Sequence, residues 1–293
     1  MSKKVFFFPG QGSQYAGMYN DCPENSKHIY EKAGEIIGFD LKQFCSEKEN
    51  LQINDTKYSQ IAIFTASMAS YEYAKNNGIT PCAVAGHSLG EYAAITAAGI
   101  ITFDDACKLV KARGEIMSKH AKDGAMCAVI GTDTDTVNEV CDSISGLVTP
   151  VNYNSPVQIV IAGEKNAVQK AADEFKSRKN KAIMLPVSGA FHTSMMQKAA
   201  DEFYEILKDI KFSKPNIDFY SNVTGKKMTD FSDMAGYFAK HMVSPVRFSD
   251  EITAIYADGY NDFYEIGPSK VLSGLINKTM KSISTAKYTM QNL

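Results

Sequence analysis

Five residues, Gly86-His87-Ser88-Leu89-Gly90, have the types and spacing for nucleophilic chemistry: they spell G-x-S-x-G. The apolar run Cys82-Ala83-Val84-Ala85 precedes them, and an alanine-rich helical stretch, Tyr92 to Ala98, follows. Strand, sharp turn and helix are what a nucleophile elbow requires, with glycines where the turn is too tight for a Cβ. The serine hydroxyl would then stand at the top of a sheet, beside helix N–H groups that favour negative charge. An ordinary serine in a strand-to-helix loop is the alternative, because the pattern is short.

A serine hydroxyl needs a base to take its proton. Of the five histidines, His28, His120 and His241 lie in charged segments expected to be exposed, and His87 points away from its neighbour on a sharp turn and reads as structural. His192 sits in the small-residue loop Val187-Ser188-Gly189-Ala190-Phe191-His192-Thr193, between an expected strand and a helix, where α/β domains place functional side chains. There it could accept the serine proton and return it to a leaving thiol. No carboxylate stands out as a third member, and a backbone carbonyl could equally orient the imidazole.

Only three basic residues are arginine: Arg113, Arg178 and Arg247. Arg113 has Leu109, Val110, Ile116 and Met117 at helical neighbour positions, so its guanidinium leaves an apolar face. A buried cation needs an anion. Either an internal carboxylate supplies it or a substrate carboxylate does, held by the planar fork.

The elements that must carry these residues read as α/β. Val5 to Phe8 is an apolar run suited to a buried parallel strand. The loop Pro9-Gly10-Gln11-Gly12-Ser13-Gln14 fails both nucleotide-binding patterns, since Tyr15 stands where a third glycine is needed and no G-K-[ST] follows. Helices are expected over about Ser59–Lys75, Phe103–His120 and Thr193–Lys208, with Thr102 capping the second, and strands at Ile217–Ser221 and Asp262–Ile266. Between them the texture changes: strand Ala125–Ile130, helix Thr134–Ser143, strands Leu147–Asn152 and Val157–Ala162, helix Lys165–Lys176, strand Lys181–Pro186. That order is the ferredoxin-like βαββαβ unit. Expected domains are therefore a large unit of 1–123 and 188–293 with an insertion of 124–187.

The totals narrow the function classes. A net charge of −2 over 293 residues argues against nucleic-acid binding, and no run approaches a membrane span. Val5 to Phe8 is too short for a signal peptide's apolar core, so a cytoplasmic protein is expected. Six scattered cysteines without C-x-x-C read as reduced, mostly buried apolar residues, and give no support for a metal.

Taken in order, Pro9-Gly10-Gln11-Gly12-Ser13-Gln14, Gly86-His87-Ser88-Leu89-Gly90-Glu91-Tyr92, Arg113-Gly114, Asn152-Tyr153-Asn154-Ser155-Pro156, Gly189-Ala190-Phe191-His192, Ser244-Pro245-Val246-Arg247 and Glu265-Ile266-Gly267-Pro268 resemble the malonyl-CoA:acyl carrier protein transacylases over nearly the whole chain. The resemblance implies an α/β-hydrolase-like core of parallel sheet with the ferredoxin-like insertion. It implies Ser88 as nucleophile, His192 as base, and the backbone N–H groups of Gln11 and Leu89 as oxyanion hole. Arg113 would clamp the malonyl carboxylate, the main-chain carbonyl of Arg247 would orient the histidine, Phe191 would crowd out an α-methyl branch, and Asn154 would line the site mouth. The implied partners are malonyl-CoA and acyl carrier protein, with no metal or nucleotide cofactor, no nucleic acid, no membrane, and a monomeric protein. Lys176, Arg178, Lys179 and Lys181 form a basic cluster that could receive the carrier, though a solvated loop explains it equally. The alternatives are an acyltransferase serving a polyketide assembly line, a serine thioesterase or esterase on a similar core, and a non-catalytic carrier-binding module.

Overall fold

Alternation along the first strand organises the core. Phe6 and Phe8 face one apolar cluster, Val5 and Phe7 another, and all four are fully buried, as a central strand covered on both faces must be. The computed structural model describes residues 3–187, 189–283 and 285–293. Its strands, in chain order, are β1 (Lys4–Phe8), β2 (Ala83–Gly86), β3 (Gly124–Ile130), β4 (Val148–Ser155), β5 (Gln158–Glu164), β6 (Lys181–Met184), β7 (Asp218–Ser221), β8 (Lys226–Lys227), β9 (Asp262–Glu265) and β10 (Thr289–Asn292).

Six of them form one sheet in the order β10-β9-β1-β2-β7-β8, parallel throughout except for the terminal β7–β8 pair. The register sets Phe8 beside Gly86. The loop containing Gln11 and the turn containing Ser88 therefore leave adjacent strand ends on the same edge, where open α/β sheets gather ligands.

The other four strands make a separate antiparallel sheet, β4-β5-β3-β6. Helices Thr134–Ser143 and Lys165–Ser177 cover one face through Val137, Val140, Val168, Ala171 and Phe175. The opposite face, with Met126, Ala128, Val160 and Ala162, joins the main core. Backbone bonds from Tyr153 N–H to the Val246 carbonyl (2.8 Å) and from Val246 N–H to the Val151 carbonyl (2.7 Å) tie this sheet to the segment that leads into helix Phe248–Ala257.

Most expected elements stand within a few residues of their expected bounds. Phe103–His120 is helical as read, with Thr102 Oγ1 accepting the Asp105 N–H. Thr193–Lys208 divides into a 3₁₀ turn, Ser194–Met196, and an α-helix, Gln197–Leu207. The strand read as Lys181–Pro186 stops at Met184, which leaves Leu185 and Pro186 free to line a cavity. Helices His28–Ile37, Met234–His241, Phe248–Ala257 and Val271–Ser282 were not foreseen. The first of the latter three overturns one expectation: His241, read as exposed, is fully buried. Ser188, where the larger unit was expected to resume, and Met1 lie outside the described residues. Cys45, Cys107, Cys127 and Cys141 are buried, Cys22 is half-buried, Cys82 is exposed, and all six are free thiols. Among the described residues, no helix is long and apolar enough to cross a membrane.

Candidate active site

The turn after β2 has no room for side chains on its glycines. A Cβ on Gly90 would come within 1.9 Å of the Phe8 carbonyl oxygen, and one on Gly86 within 2.1 Å of the Gly90 carbonyl carbon. Ser88 between them adopts φ +51°, a left-handed conformation that costs a side-chain-bearing residue roughly 1–3 kcal/mol. The cost is met by the aim it gives: Ser88 Oγ lies 2.8 Å from His192 Nε2.

His192 is itself left-handed, with φ +65°, and is buried. Its Nδ1 lies 3.0 Å from both the His241 and the Ser244 carbonyl oxygens. Two acceptors at Nδ1 place the ring proton there and leave Nε2 bare toward the serine hydroxyl. The expectation for Arg247 is thereby corrected. Arg247 caps the Phe248–Ala257 helix, so its carbonyl is taken by the Glu251 N–H at 3.0 Å, while its side chain pairs with Asp250. Burial, and then the Arg113 charge, lower the His192 pKa to about 3, so the imidazole is neutral at pH 7.

Arg113 is 1% exposed. Its Nη1 donates to Gln60 Oε1 at 2.6 Å, its Nη2 to Ser88 Oγ at 3.3 Å, and its guanidinium carbon lies 5.5 Å from the Tyr92 ring centre. Its Nε has no partner, and among the described residues no carboxylate lies within ion-pair distance of it. Of the two anions left open above, the internal one makes no ion pair with the guanidinium: the buried Glu91 acts on it only at longer range, and burial pushes that carboxyl up to about 8, so it is protonated at pH 7.

A cavity of about 380 Å³ joins these groups, lined by Ser88, His192, Arg113, Gln11, Leu89 and Phe191 together with apolar Met117, Met126, Leu185 and Val187. The N–H groups of Gln11 and Leu89 have no acceptor among the described residues, and Leu89 immediately precedes the Gly90–Ala97 helix. Asn154 does not reach the cavity, which corrects its expected place at the mouth. Its Oδ1 lies 2.7 Å from His87 Nε2 and holds that ring from behind, while Asn152 lines the wall. The basic cluster is exposed and partly neutralised, Arg178 by Glu174 and Glu139, Lys176 by Asp173.

Sequence reading missed the polar groups behind the turn: Asn222, His241, Glu91 and Glu251, all fully buried. A helical period was available for two of them. Met234, Phe238 and His241 fall at i, i+4 and i+7, and Phe248, Glu251, Ile252 and Ile255 share one face.

A bare imidazole nitrogen on a serine, a guanidinium without an ion-pair partner, and two residues with unbonded N–H groups lining the same cavity form an arrangement suited to acyl transfer through a seryl ester. A family model described as acyl transferase domain matches residues 5–291. The chain is 39% identical, over 97% of its length and 93% of the relative's, to a malonyl CoA-acyl carrier protein transacylase of Bacillus subtilis. Its structure is similar to that of a malonyl CoA-acyl carrier protein transacylase from Clostridium perfringens, with TM-score 0.92 and 36% identity over 100% of this chain and 93% of that one. It is also similar to a malonyl-transacylase solved in complex with a type II polyketide acyl-carrier protein, with TM-score 0.92 and 33% identity over 99% and 95%. The chain belongs to the malonyl CoA-acyl carrier protein transacylase family.

Proposed function

We propose that this protein transfers the malonyl group of malonyl-CoA to the phosphopantetheine thiol of acyl carrier protein, supplying fatty-acid assembly. The observation that carries the reading is the buried Arg113 guanidinium, without a carboxylate partner, 3.3 Å from the Ser88 hydroxyl.

In the first half-reaction His192 Nε2 takes the Ser88 proton as Oγ adds to the thioester carbonyl. The oxyanion accepts hydrogen bonds from the Gln11 and Leu89 N–H groups, which have no other acceptor among the described residues. Collapse breaks the C–S bond, and the imidazolium returns its proton to the departing CoA sulfur. In the second half the carrier's thiol gives its proton to His192 and attacks the malonyl ester, and the proton returns to Ser88 Oγ. The His241 and Ser244 carbonyls hold the ring through both halves and stabilise the imidazolium.

Arg113 has two effects on this sequence. Its fork receives the malonyl carboxylate, a charged contact worth roughly 1.5–3 kcal/mol. Its charge also depresses His192. A bound carboxylate offsets that charge, so the base is strengthened when the dicarboxylic acyl group is seated. The Phe191 ring beside His192 restricts the acyl group at its α-carbon.

The strand order supports reading 124–187 as a ferredoxin-like insertion in an α/β-hydrolase-like unit of 1–123 and 188–293, because β4-β5-β3-β6 is the 2-3-1-4 order of a βαββαβ fold. A monomer in the cytoplasm completes the reading.

The test is intact-protein mass spectrometry after brief exposure to malonyl-CoA. One malonyl adduct is expected on the protein and none on Ser88→Ala, and added carrier should remove the label. Release of free malonate at an undiminished rate, whether or not carrier is added, would make the protein a thioesterase instead.

A further inference from the structure

Behind the serine turn lies a cluster of buried polar groups that this chemistry does not use. Its centre is Asn222, fully buried just beyond the end of β7. The carboxamide of Asn222 makes four hydrogen bonds. Its Oδ1 accepts the Ser88 N–H at 2.7 Å and lies 3.3 Å from His241 Nε2. Its Nδ2 donates to the Gly86 carbonyl at 2.5 Å and to Glu251 Oε1 at 2.6 Å. Both lone pairs and both N–H bonds are therefore occupied.

The cluster extends in two directions. The Asn222 backbone N–H donates to Glu91 Oε1 at 2.6 Å, and Glu91 also accepts the Tyr237 hydroxyl at 2.8 Å. In the other direction, the ring of His241 touches Asn222 while its own carbonyl accepts the His192 Nδ1–H. One buried side chain thus grips the turn that aims the nucleophile and contacts the residue that aims the base. Burying polar groups is costly unless they are paired, and the Asn222 carboxamide at the centre is paired at every position, which fixes its arrangement sharply, while His241 Nδ1 and Glu251 Oε2 at the edges have no partner.

We propose that Asn222 is a positioning residue for acyl transfer, its carboxamide clamping the Gly86 carbonyl and the Ser88 N–H so that Ser88 holds its left-handed turn in register with His192. The inference rests on the acyl-transfer reading above. The residue type follows from the four partners. Aspartate would set an oxygen against the Gly86 carbonyl oxygen, which can only accept, and alanine would leave a backbone N–H and a carbonyl buried without partners.

The test measures the rate and final extent of Ser88 malonylation by intact-protein mass spectrometry over a range of malonyl-CoA concentrations. Asn222→Asp should reach the wild-type final extent about tenfold to a hundredfold more slowly, as expected for displaced reacting groups, with half-saturation by malonyl-CoA within about twofold of wild type. Should Asn222→Asp not fold, Glu251→Ala removes only the partner on the far side of Asn222, and should slow labelling about threefold or more at full extent. An unchanged rate in these variants overturns the proposal. So does a loss confined to the fraction labelled, since that marks damaged packing rather than lost aim. Absence of labelling in the wild type would instead remove the acyl-transfer reading, and this inference with it.

Discussion

At the scale of single residues, the Ser88 hydroxyl lies between a neutral imidazole and a buried positive charge. Burial and Arg113 both hold His192 well below the usual histidine range. The acid limb of kcat/KM for malonyl-CoA should therefore not fall near pH 6.5, where an ordinary histidine titrates. Removing the charge relieves the second largest of the causes, so Arg113→Ala assayed with acetyl-CoA should move the acid limb to higher pH than wild type with the same substrate. A limb at the same pH in both would mean that the guanidinium does not act on the base. These residues were legible in the sequence because each carries its own local signal: glycines around Ser88, small residues around His192, apolar helix neighbours around Arg113. Arg247 and Asn154 misled because a motif fixes neighbourhood but not which atom faces the site. The histidine-orienting carbonyl comes from residues three and six positions before Arg247, and the wall residue two positions before Asn154.

At the scale of elements, the site depends on how closely the β2 turn packs against the end of β1. Gly90→Ala would drive a methyl group into the Phe8 carbonyl, a backbone atom that cannot step aside. It should destabilise the protein by on the order of 3 kcal/mol, read as a lower urea midpoint at unchanged slope. A midpoint equal to wild type would show that the turn and strand can separate at little cost. Strand and helix types from Ser59 to Leu207 followed from apolar runs and helical periods. The C-terminal helices were harder to read, because Met234–His241 and Phe248–Ala257 bury polar residues on their inner faces. His241 and Glu251 keep the helical period of the buried face but are polar types, so the stripe is not apolar throughout, and their tertiary partners are what make burial tolerable.

At the scale of the whole molecule, these buried groups set the pH dependence of stability. Burial raises the Glu91 carboxyl to about 8 and lifts Glu251 well above the carboxylate range. The folded state then keeps protons that the unfolded chain releases above about pH 4.5, so stability falls as pH rises through that window. Burial lowers His87, His192 and His241, so the unfolded chain binds extra protons below about pH 6.5 and stability falls as pH drops. Together they predict a maximum in Tm between about pH 4.5 and 6.5. Glu91→Gln should remove part of the decline from pH 6.5 to 8. A wild-type Tm that rises across that interval would contradict the assignment of protonated carboxyls to the interior.

The whole account turns on what the unpaired Arg113 guanidinium is for, and one competition measures it. Wild type and Arg113→Ala would each be given malonyl-CoA and acetyl-CoA, and kcat/KM for acylation of Ser88 compared. Loss of a charged contact worth roughly 1.5–3 kcal/mol predicts that the preference for malonyl falls on the order of tenfold to a hundredfold in the variant. An unchanged ratio would contradict the account, because the buried cation beside Ser88 would then not read the substrate's carboxylate.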